Sequence, residues 1–525
     1  MADASIHESS APQAASPWTL PKGLSARWPA WSAVTVIAAI WLAAHVTAFL
    51  AAGNLFNADA AIAGLQAFLF AQKGMFPIFL ANQSYMGMAP AWVAAGLVKL
   101  FGPHLWTLTL AWGLFGAASF GILIDGLDRY VSRRAALAFV LLAMFLALAP
   151  LNTLRPSGHV MGLLGSAILL RWILKYRDIH SLPVAAASFL GFGVVIGFFW
   201  YSDEIIVSAL IPFAIMLVWA FVQRPRVTAA LAGVLGLLGG YLPALLYRLE
   251  GGKLVLHTGI TTLAGLVGNI RIMLQAFAWG MFSIPYASHP AAIATGLFVL
   301  ALSAAFLFWA PWETLATRVL VLSPLYANMV LYAASTMPID MYSIRYLYPG
   351  LYTLGIATAI FVAGRTRAVS ASSARRLVPV AALVCLAALM YDGQSFVHGV
   401  AATGPDATVL ATRSEATWLR AHHDTTGWGY YWDVYMLDLM GYPHLTYAAN
   451  TNLNIPSVAQ AAAAYCRSQG ACPVILNAPP TSAVFRETPT AFSPASLGTL
   501  QFVKRLQQAH GYFVYQAASV PSSSS

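Results

Sequence analysis

The chain has 525 residues, 59% of them hydrophobic and only 9% charged, against about 25% charged in soluble domains. That composition excludes a soluble globule. The net charge of +10 does not point to nucleic acid, because the basic residues fall in short clusters between apolar runs instead of coating one polar face.

Residues 1–28 are rich in Ala, Ser and Pro, carry Asp3, Glu8, Lys22 and Arg27, and read as a disordered cytoplasmic tail. The apolar run 31–50 is too long for the core of a signal peptide and lacks a convincing cleavage site, so a retained first helix is expected. Further apolar runs follow at 106–124, 135–150, 158–174, 182–200, 205–222, 227–247, 291–310, 319–337, 346–364 and 377–391. Those of about 20 residues, such as 106–124, 182–200, 227–247, 291–310 and 346–364, are each long enough to cross a hydrocarbon core about 30 Å thick. Arg129, Arg133 and Arg134, then Arg171, Lys175 and Arg177, then Arg224 and Arg226, then Arg318, then Arg365, Arg367, Arg375 and Arg376 occupy every second connection. That is the positive-inside pattern, which places these connections and the tail in the cytoplasm.

The run 88–101 is about 21 Å long as a helix, too short to cross, and carries Lys99; an interfacial helix is expected there. Residues 51–105 then form a first outer loop, and 248–290 a second one with an interfacial stretch at 270–284. The pattern predicts a polytopic α-helical membrane protein of about 11 transmembrane helices plus interfacial helices, over residues 29–391. After residue 391 no run can span. Strand-like runs at 473–476 and 512–515 and helix-like runs at 415–422 and 500–508 predict a small extracytoplasmic α/β domain over 392–525, ending in a disordered Ser-rich tail. Cys466 and Cys472 lie in that region and are read either as a small disulfide loop, if it is outside the cell, or as unbridged thiols, since spacing alone does not establish a bridge; Cys385 sits in an apolar run and is read as packing.

Charged groups are nearly absent from the middle of the predicted spans. Outside the cytoplasmic connections they gather at the outer rim, which favours chemistry at the outer interface over conduction through the bilayer. Asp59, just past the first run, is either a solvated acid or a general base for an acceptor hydroxyl. Arg345 and Arg155 are either snorkelling side chains or ligands for a lipid phosphate. Lys73 and Lys99 are interfacial lysines, of which Lys73 is the candidate for attracting phosphate. Asp203 and Glu204 either open a helix, where negative charge is favoured, or hold a divalent ion or a sugar hydroxyl. His159 is a packing residue or a ligand. Gln83 and Tyr85, in a polar Gly-ended turn, suit sugar hydroxyls, and Tyr346 joins them as a sugar- or acceptor-binding candidate. Trp428, Tyr430, Tyr431 and Trp432 are read as aromatic core or as a sugar platform. No Walker loop, dinucleotide fingerprint or zinc spacing is present in the sequence, which speaks for a lipid-linked rather than a nucleotide-linked donor.

These positions carry a resemblance. Asp59 followed by Gly64, the run Gln83-Ser84-Tyr85-Met86-Gly87, the Pro90-led helix ending in Leu100-Phe101-Gly102, and Arg345-Tyr346-Leu347-Tyr348-Pro349 are similar to the GT-C glycosyltransferases of the bacterial protein-mannosyltransferase-like and aminoarabinose-transferase-like group. The run Gly429-Tyr430-Tyr431-Trp432-Asp433-Val434-Tyr435 also looks like one found in bacterial members. The resemblance implies an inverting transferase of the bacterial inner membrane, using a polyprenyl-phosphate sugar donor and a glycan, lipid or protein acceptor on the periplasmic side. It puts Asp59 at the catalytic-acid position and Arg345 near the donor phosphate. Two positions depart from the pattern: Ala58 and Ala60 stand where a second acid is common, and Ser343 where another acid is, with Asp340 displaced. A divalent cation remains open, with Asp59, Asp203 and Glu204 as its candidate ligands. The rival reading, a transporter or flippase of a lipid-linked saccharide, requires a polar path at mid-bilayer depth, for which Asn328 and His45 are the candidates.

Overall fold

The computed structural model describes residues 58–81, 83–145, 159–252, 259–282, 289–309, 314–336, 345–365, 407–429, 431–449, 455–476, 491–492, 500–509 and 512–519. The tail, the spans expected at 31–50 (with His45) and 377–391 (with Cys385), Arg155, Asp340, Ser343 and Tyr430 lie outside them.

The predicted first outer loop is built of α1 (Ala58–Lys73), a hairpin of β1 (Phe79–Leu80) and β2 (Gln83–Gly87), and α2 (Ala89–Phe101). Pro90 starts α2 where a missing N–H is harmless, and Gly102, at φ 90°, ends it. The bundle follows: α3 (Leu105–Tyr130), α4 (Arg133–Phe145), α5 (His159–Lys175), α6 (Ala186–Ser202) and α7 (Val207–Gln223), the last entered through a 3-10 turn, Glu204–Ile206. Then come α8 (Val227–Gly240), α9 (Leu242–Leu249), α10 (Leu263–Phe282), α11 (His289–Trp309), α12 (Leu315–Ala334) and α13 (Tyr348–Arg365).

Among the described residues five helices are long and apolar enough to cross a membrane: Leu105–Tyr130, Glu204–Gln223, Pro290–Trp309, Leu315–Ala334 and Arg345–Gly364. The run 227–247, expected as one span, is built of α8 and α9, which pass for a span together and are bent by 59° at the break between them. Pro243 is the cause, since its ring blocks the carbonyl four residues back and has no N–H to give. The stretch expected as interfacial at 270–284 belongs to the longer α10. That helix meets α11 near its start, through Leu274 and Ala278 against Ala291 and Ala292, and meets the far end of α12 through Asn269, whose amide donates to the carbonyls of Ala333 and Ser335.

Charge separates the two ends of the bundle. At one end Asp125 of α3, 2% exposed, is held by Arg129 at 2.5 Å and by Arg171 of α5 at 2.8 Å. Arg177 donates to the Tyr130 carbonyl, Arg224 and Arg226 to those of Leu182 and Val184, and Arg318 to that of Leu307. The opposite end collects the outer loop, the start of α5, the α6–α7 connection, the end of α12 and the start of α13.

The C-terminal region comprises α14 (Ala407–Ala421), β3 (Thr426–Gly429), α15 (Tyr431–Gly441), β4 (Thr446–Ala449), α16 (Pro456–Gln469), β5 (Ala471–Leu476), β6 (Ala491–Phe492), β7 (Leu500–Ala509) and β8 (Tyr512–Ser519). Its sheet runs β4-β3-β5-β8-β7-β6; β3, β4 and β5 are parallel and the rest antiparallel. A disulfide joins Cys466 of α16 to Cys472 of β5. The run expected as a helix at 500–508 is the strand β7. Its register against β8 shifts twice, between Phe502 and Lys504 and between Arg505 and Gln507. Each bulge inserts an extra residue, so Phe502, Val503 and Leu506 fall at helix-like spacing on a bulged strand. Trp428 is 1% exposed in the core of this region, which leaves its ring unavailable as a sugar platform. The region docks on α1: Leu439 faces Gly64, the Tyr442 ring packs on Phe68 at 5.1 Å, and the Tyr442 hydroxyl donates to Gln72 at 2.8 Å.

Glycine sets the closest helix pair. A Cβ on Gly240 of α8 would lie 2.1 Å from the Val194 carbonyl of α6, and one on Gly197 would lie 2.2 Å from that of Leu237. The two backbones thus touch directly, as small-residue interfaces in membranes allow. Gly240→Leu should destabilise the protein by about 1–3 kcal/mol or more, read as a lower melting temperature in detergent, whereas Gly239→Ala, with nothing within 4 Å of its added carbon, should leave that temperature unchanged or raise it.

Candidate functional site

The outer loop is pinned to the bundle through its hairpin. The Tyr201 hydroxyl donates to the Ile78 carbonyl at 2.5 Å, the Trp92 indole to that of Pro77 at 2.7 Å, and the Gln66 amide of α1 to that of Phe79 at 2.9 Å. Phe79 fills the space between the Tyr201 and Tyr247 rings. Gly87 closes β2 where a Cβ would strike the Tyr201 ring at 2.7 Å and the Ser202 backbone at 2.9 Å, so the strand lies directly against the end of α6. Beside it, Met86 forms an antiparallel bridge with Asp203.

Tyr85 of β2 is where the polar groups converge. Burial pushes its phenol up; the neighbouring Tyr346, Asp59 and Glu204 push it further, and Arg345 opposes them. The phenol therefore stays protonated and donates, to Gln83 Oε1 at 2.5 Å. Asp59 enters from the first turn of α1, half-buried, where an acid complements the positive end of the helix. Glu204 enters from the 3-10 turn before α7, and Arg345 and Tyr346 from the turn before α13.

Arg345 and Tyr346 are locked together. The guanidinium lies 4.8 Å over the Tyr346 ring and donates to its hydroxyl at 3.1 Å. The His159 ring stands edge-on to Tyr346 at 5.3 Å and 89°. His159 Nδ1 lies 3.1 Å from Asp203 Oδ2, and the other carboxylate oxygen accepts from the Ile205 N–H at 3.1 Å. An ionised carboxylate only accepts, so Nδ1 carries the proton. Asn328 of α12 fixes the turn from behind: its amide donates to the Tyr346 carbonyl at 2.8 Å, and its oxygen accepts from the Gly350 N–H at 3.1 Å.

Next to these groups is a cavity of about 280 Å³. Trp200, Ile205, Val207, Ile260 and Leu331 give it an apolar wall; Glu204, Ser208, Asn328, Tyr332, Ser335 and Tyr346 are its polar lining.

Eight of the residues singled out in the sequence, Asp59, Gln83, Tyr85, His159, Asp203, Glu204, Arg345 and Tyr346, thus meet at one end of the bundle. Lys73 does not join them. It is exposed at the other end of α1, about 21 Å from Asp59 along the helix. Lys99 is likewise exposed on α2. Arg155 lies outside the described residues. Among the described residues no three His, Cys, Asp or Glu side chains converge on a point that could hold a metal ion. Sequence reading missed the Asp203–His159 pair, two residues 44 apart with no local signal, and missed Gln66, whose place on the Asp59 face of α1 was legible from helical spacing.

No family model and no curated protein matches the sequence. Solved structures do match. ArnT from Cupriavidus metallidurans, solved bound to undecaprenyl phosphate and in the apo state, is 13% identical over 93% of this chain and 98% of that one, with a TM-score of 0.61. The oligosaccharyltransferase AglB from Archaeoglobus fulgidus, in complex with an inhibitory peptide and a dolichol-phosphate, is 12% identical over 86% of this chain and 70% of that one, at a weak TM-score of 0.46. The likeness to ArnT is one of fold: the chain is a polytopic helical membrane protein that shares the fold of that structure.

Asn328→Leu strands two buried backbone groups, the Tyr346 carbonyl and the Gly350 N–H, at about 1–3 kcal/mol each. The variant should melt several degrees below wild type in detergent.

Proposed function

We propose that this protein is an inverting glycosyltransferase that moves a sugar from a polyprenyl-phosphate-linked donor to an acceptor at the outer face of the bacterial inner membrane. One observation carries the reading: Asp59, Glu204, Tyr85 and the Arg345–Tyr346 pair converge beside an apolar cavity, at the end of the bundle away from the arginine clusters. An isoprenyl chain suits such an apolar wall, and its phosphate suits the planar guanidinium of Arg345, which matches phosphate oxygens in pairs. That ArnT, a protein of the same fold, has been solved with undecaprenyl phosphate supports the donor class.

The chemistry follows from the side chains. Asp59 takes the proton of the acceptor hydroxyl as its oxygen attacks the anomeric carbon. The bond from that carbon to the phosphate oxygen breaks on the opposite face, and configuration inverts. The electron pair leaves with the phosphate, whose charge Arg345 receives. Tyr85, held protonated, and Gln83 offer hydrogen bonds to sugar hydroxyls; Glu204 offers an acceptor for them.

Orientation follows from charge. Arginine clusters remain on the cytoplasmic side, so the site end faces outward. The Cys466–Cys472 bridge supports the same placement of the C-terminal region, because such bonds persist in oxidising compartments. A transport path finds less support. Asn328, its candidate in mid-span, holds the start of α13 through hydrogen bonds to two main-chain groups.

Asp59→Asn should lower transfer by about a hundredfold or more and leave binding of undecaprenyl phosphate intact. Mass spectrometry of envelope glycans and glycolipids from a deletion strain, complemented with wild type or with the variant, reads both the missing sugar and its acceptor. Full complementation by Asp59→Asn would remove this carboxylate from the mechanism.

A further inference from the structure

The Asp203–His159 pair is not needed by the transfer chemistry above, yet it is the most deeply buried ionisable pair at the site end among the described residues. The His159 side chain is 11% exposed and that of Asp203 only 2%. A buried carboxylate is a poor choice for packing alone, because apolar residues of similar volume do that job at least as well. Nor is the imidazole needed to hold the turn. Asp203 Oδ1 already caps Ile205, and the bridge to Met86 already joins the α6–α7 connection to β2. Space has also been kept for the pair: a Cβ at Gly162, one turn into α5, would fall 2.7 Å from Asp203 Oδ2. What the imidazole reaches is the Tyr346 ring, edge-on, and Tyr346 in turn holds Arg345 by its hydroxyl and by its face.

We propose that Asp203 and His159 are positioning residues for the phosphate site: the carboxylate orients the imidazole, the imidazole orients Tyr346, and Tyr346 holds the Arg345 guanidinium where a lipid phosphate binds. The aim of the guanidinium is thereby tied to β2 and to the turn bearing Glu204, through Asp203, which touches both. Neither member of the pair contacts the phosphate. This inference rests on the proposed donor class.

The experiment measures binding of undecaprenyl phosphate and of undecaprenol to the full-length protein in nanodiscs. Wild type should prefer the phosphate, and Arg345→Ala should lose that preference. Asp203→Asn and His159→Phe should each weaken the phosphate ligand by about tenfold, the loss of one charge-assisted hydrogen bond, and leave undecaprenol binding unchanged. A merely structural role would move both ligands or neither. In an Arg345→Ala background the same substitutions should have no further effect, because they act through that residue. If Asp203→Asn does not fold, His159→Phe decides, since it keeps the ring and loses only the donor. The positioning role alone is overturned if both variants retain the phosphate preference, or weaken it equally without Arg345. If wild type shows no preference for the phosphate, the donor assignment falls, and this inference with it.

Discussion

A hydrocarbon solvent tolerates neither an unpaired charge nor an unpaired backbone group, and that intolerance organises the whole molecule. It sends the ionisable side chains to the two ends of the bundle and requires that each one be answered there. At the arginine end the answer is Asp125, gripped by Arg129 and Arg171 from two helices, while the neighbouring arginines take up carbonyls that helix ends leave open. At the other end a second buried carboxylate, Asp203, meets an imidazole and a backbone N–H. The arginine end is a closed electrostatic knot. The site end keeps an arginine, two further carboxylates and a phenol beside an open cavity, and that asymmetry sets the two ends apart.

The site is assembled from segments far apart in the chain, each of them the first or last turn of an element: Asp59 begins α1, His159 begins α5, Asp203 ends α6, and Arg345 precedes α13. Helix ends serve here because they bring polar groups to the interface without placing any in mid-bilayer, and because N-terminal turns receive negative charge well. Electrostatic stabilisation is useful only if the groups do not have to reorganise during reaction. The hairpin held by Tyr201, Trp92 and Gln66, and the α13 turn held by Asn328, supply that rigidity through hydrogen bonds to main-chain carbonyls.

Much of this was legible in the sequence, and the reasons for the rest are physical. Apolar runs, arginine alternation and the short Pro90-led helix could be read because the bilayer acts on composition directly. The cluster of Asp59, Tyr85, Glu204 and Arg345 was legible as a common depth, each residue flanking an apolar run on the same side. Their pairing was not, since contacts such as Asp203 to His159 leave no periodic trace. One error came from a local rule overruled by its surroundings: two bulges give β7 the apolar spacing of a helix. The 59° bend at Pro243 was invisible for a related reason, because hydropathy reports that a run is apolar and not whether it is straight. The α6–α8 contact escaped notice because glycines in apolar runs look like filler until the partner backbone is seen at 2.1 Å.

The C-terminal region belongs to this argument as well. The helix that carries Asp59 is clamped on both sides: Gly64 lies between Leu108 of α3 and Leu439 of α15, and further along the helix Phe68 and Gln72 receive Tyr442. A helix packed only against the bundle would be free to tilt outward at its polar end, because lipid holds it no better than a neighbour would. With the α/β region seated on its outer face, α1 has one position, and the carboxylate at its first turn stays aimed at Tyr85. The sheet and helices beyond the last described span thus act on the site without entering it, by removing a degree of freedom from the helix that carries the proposed base.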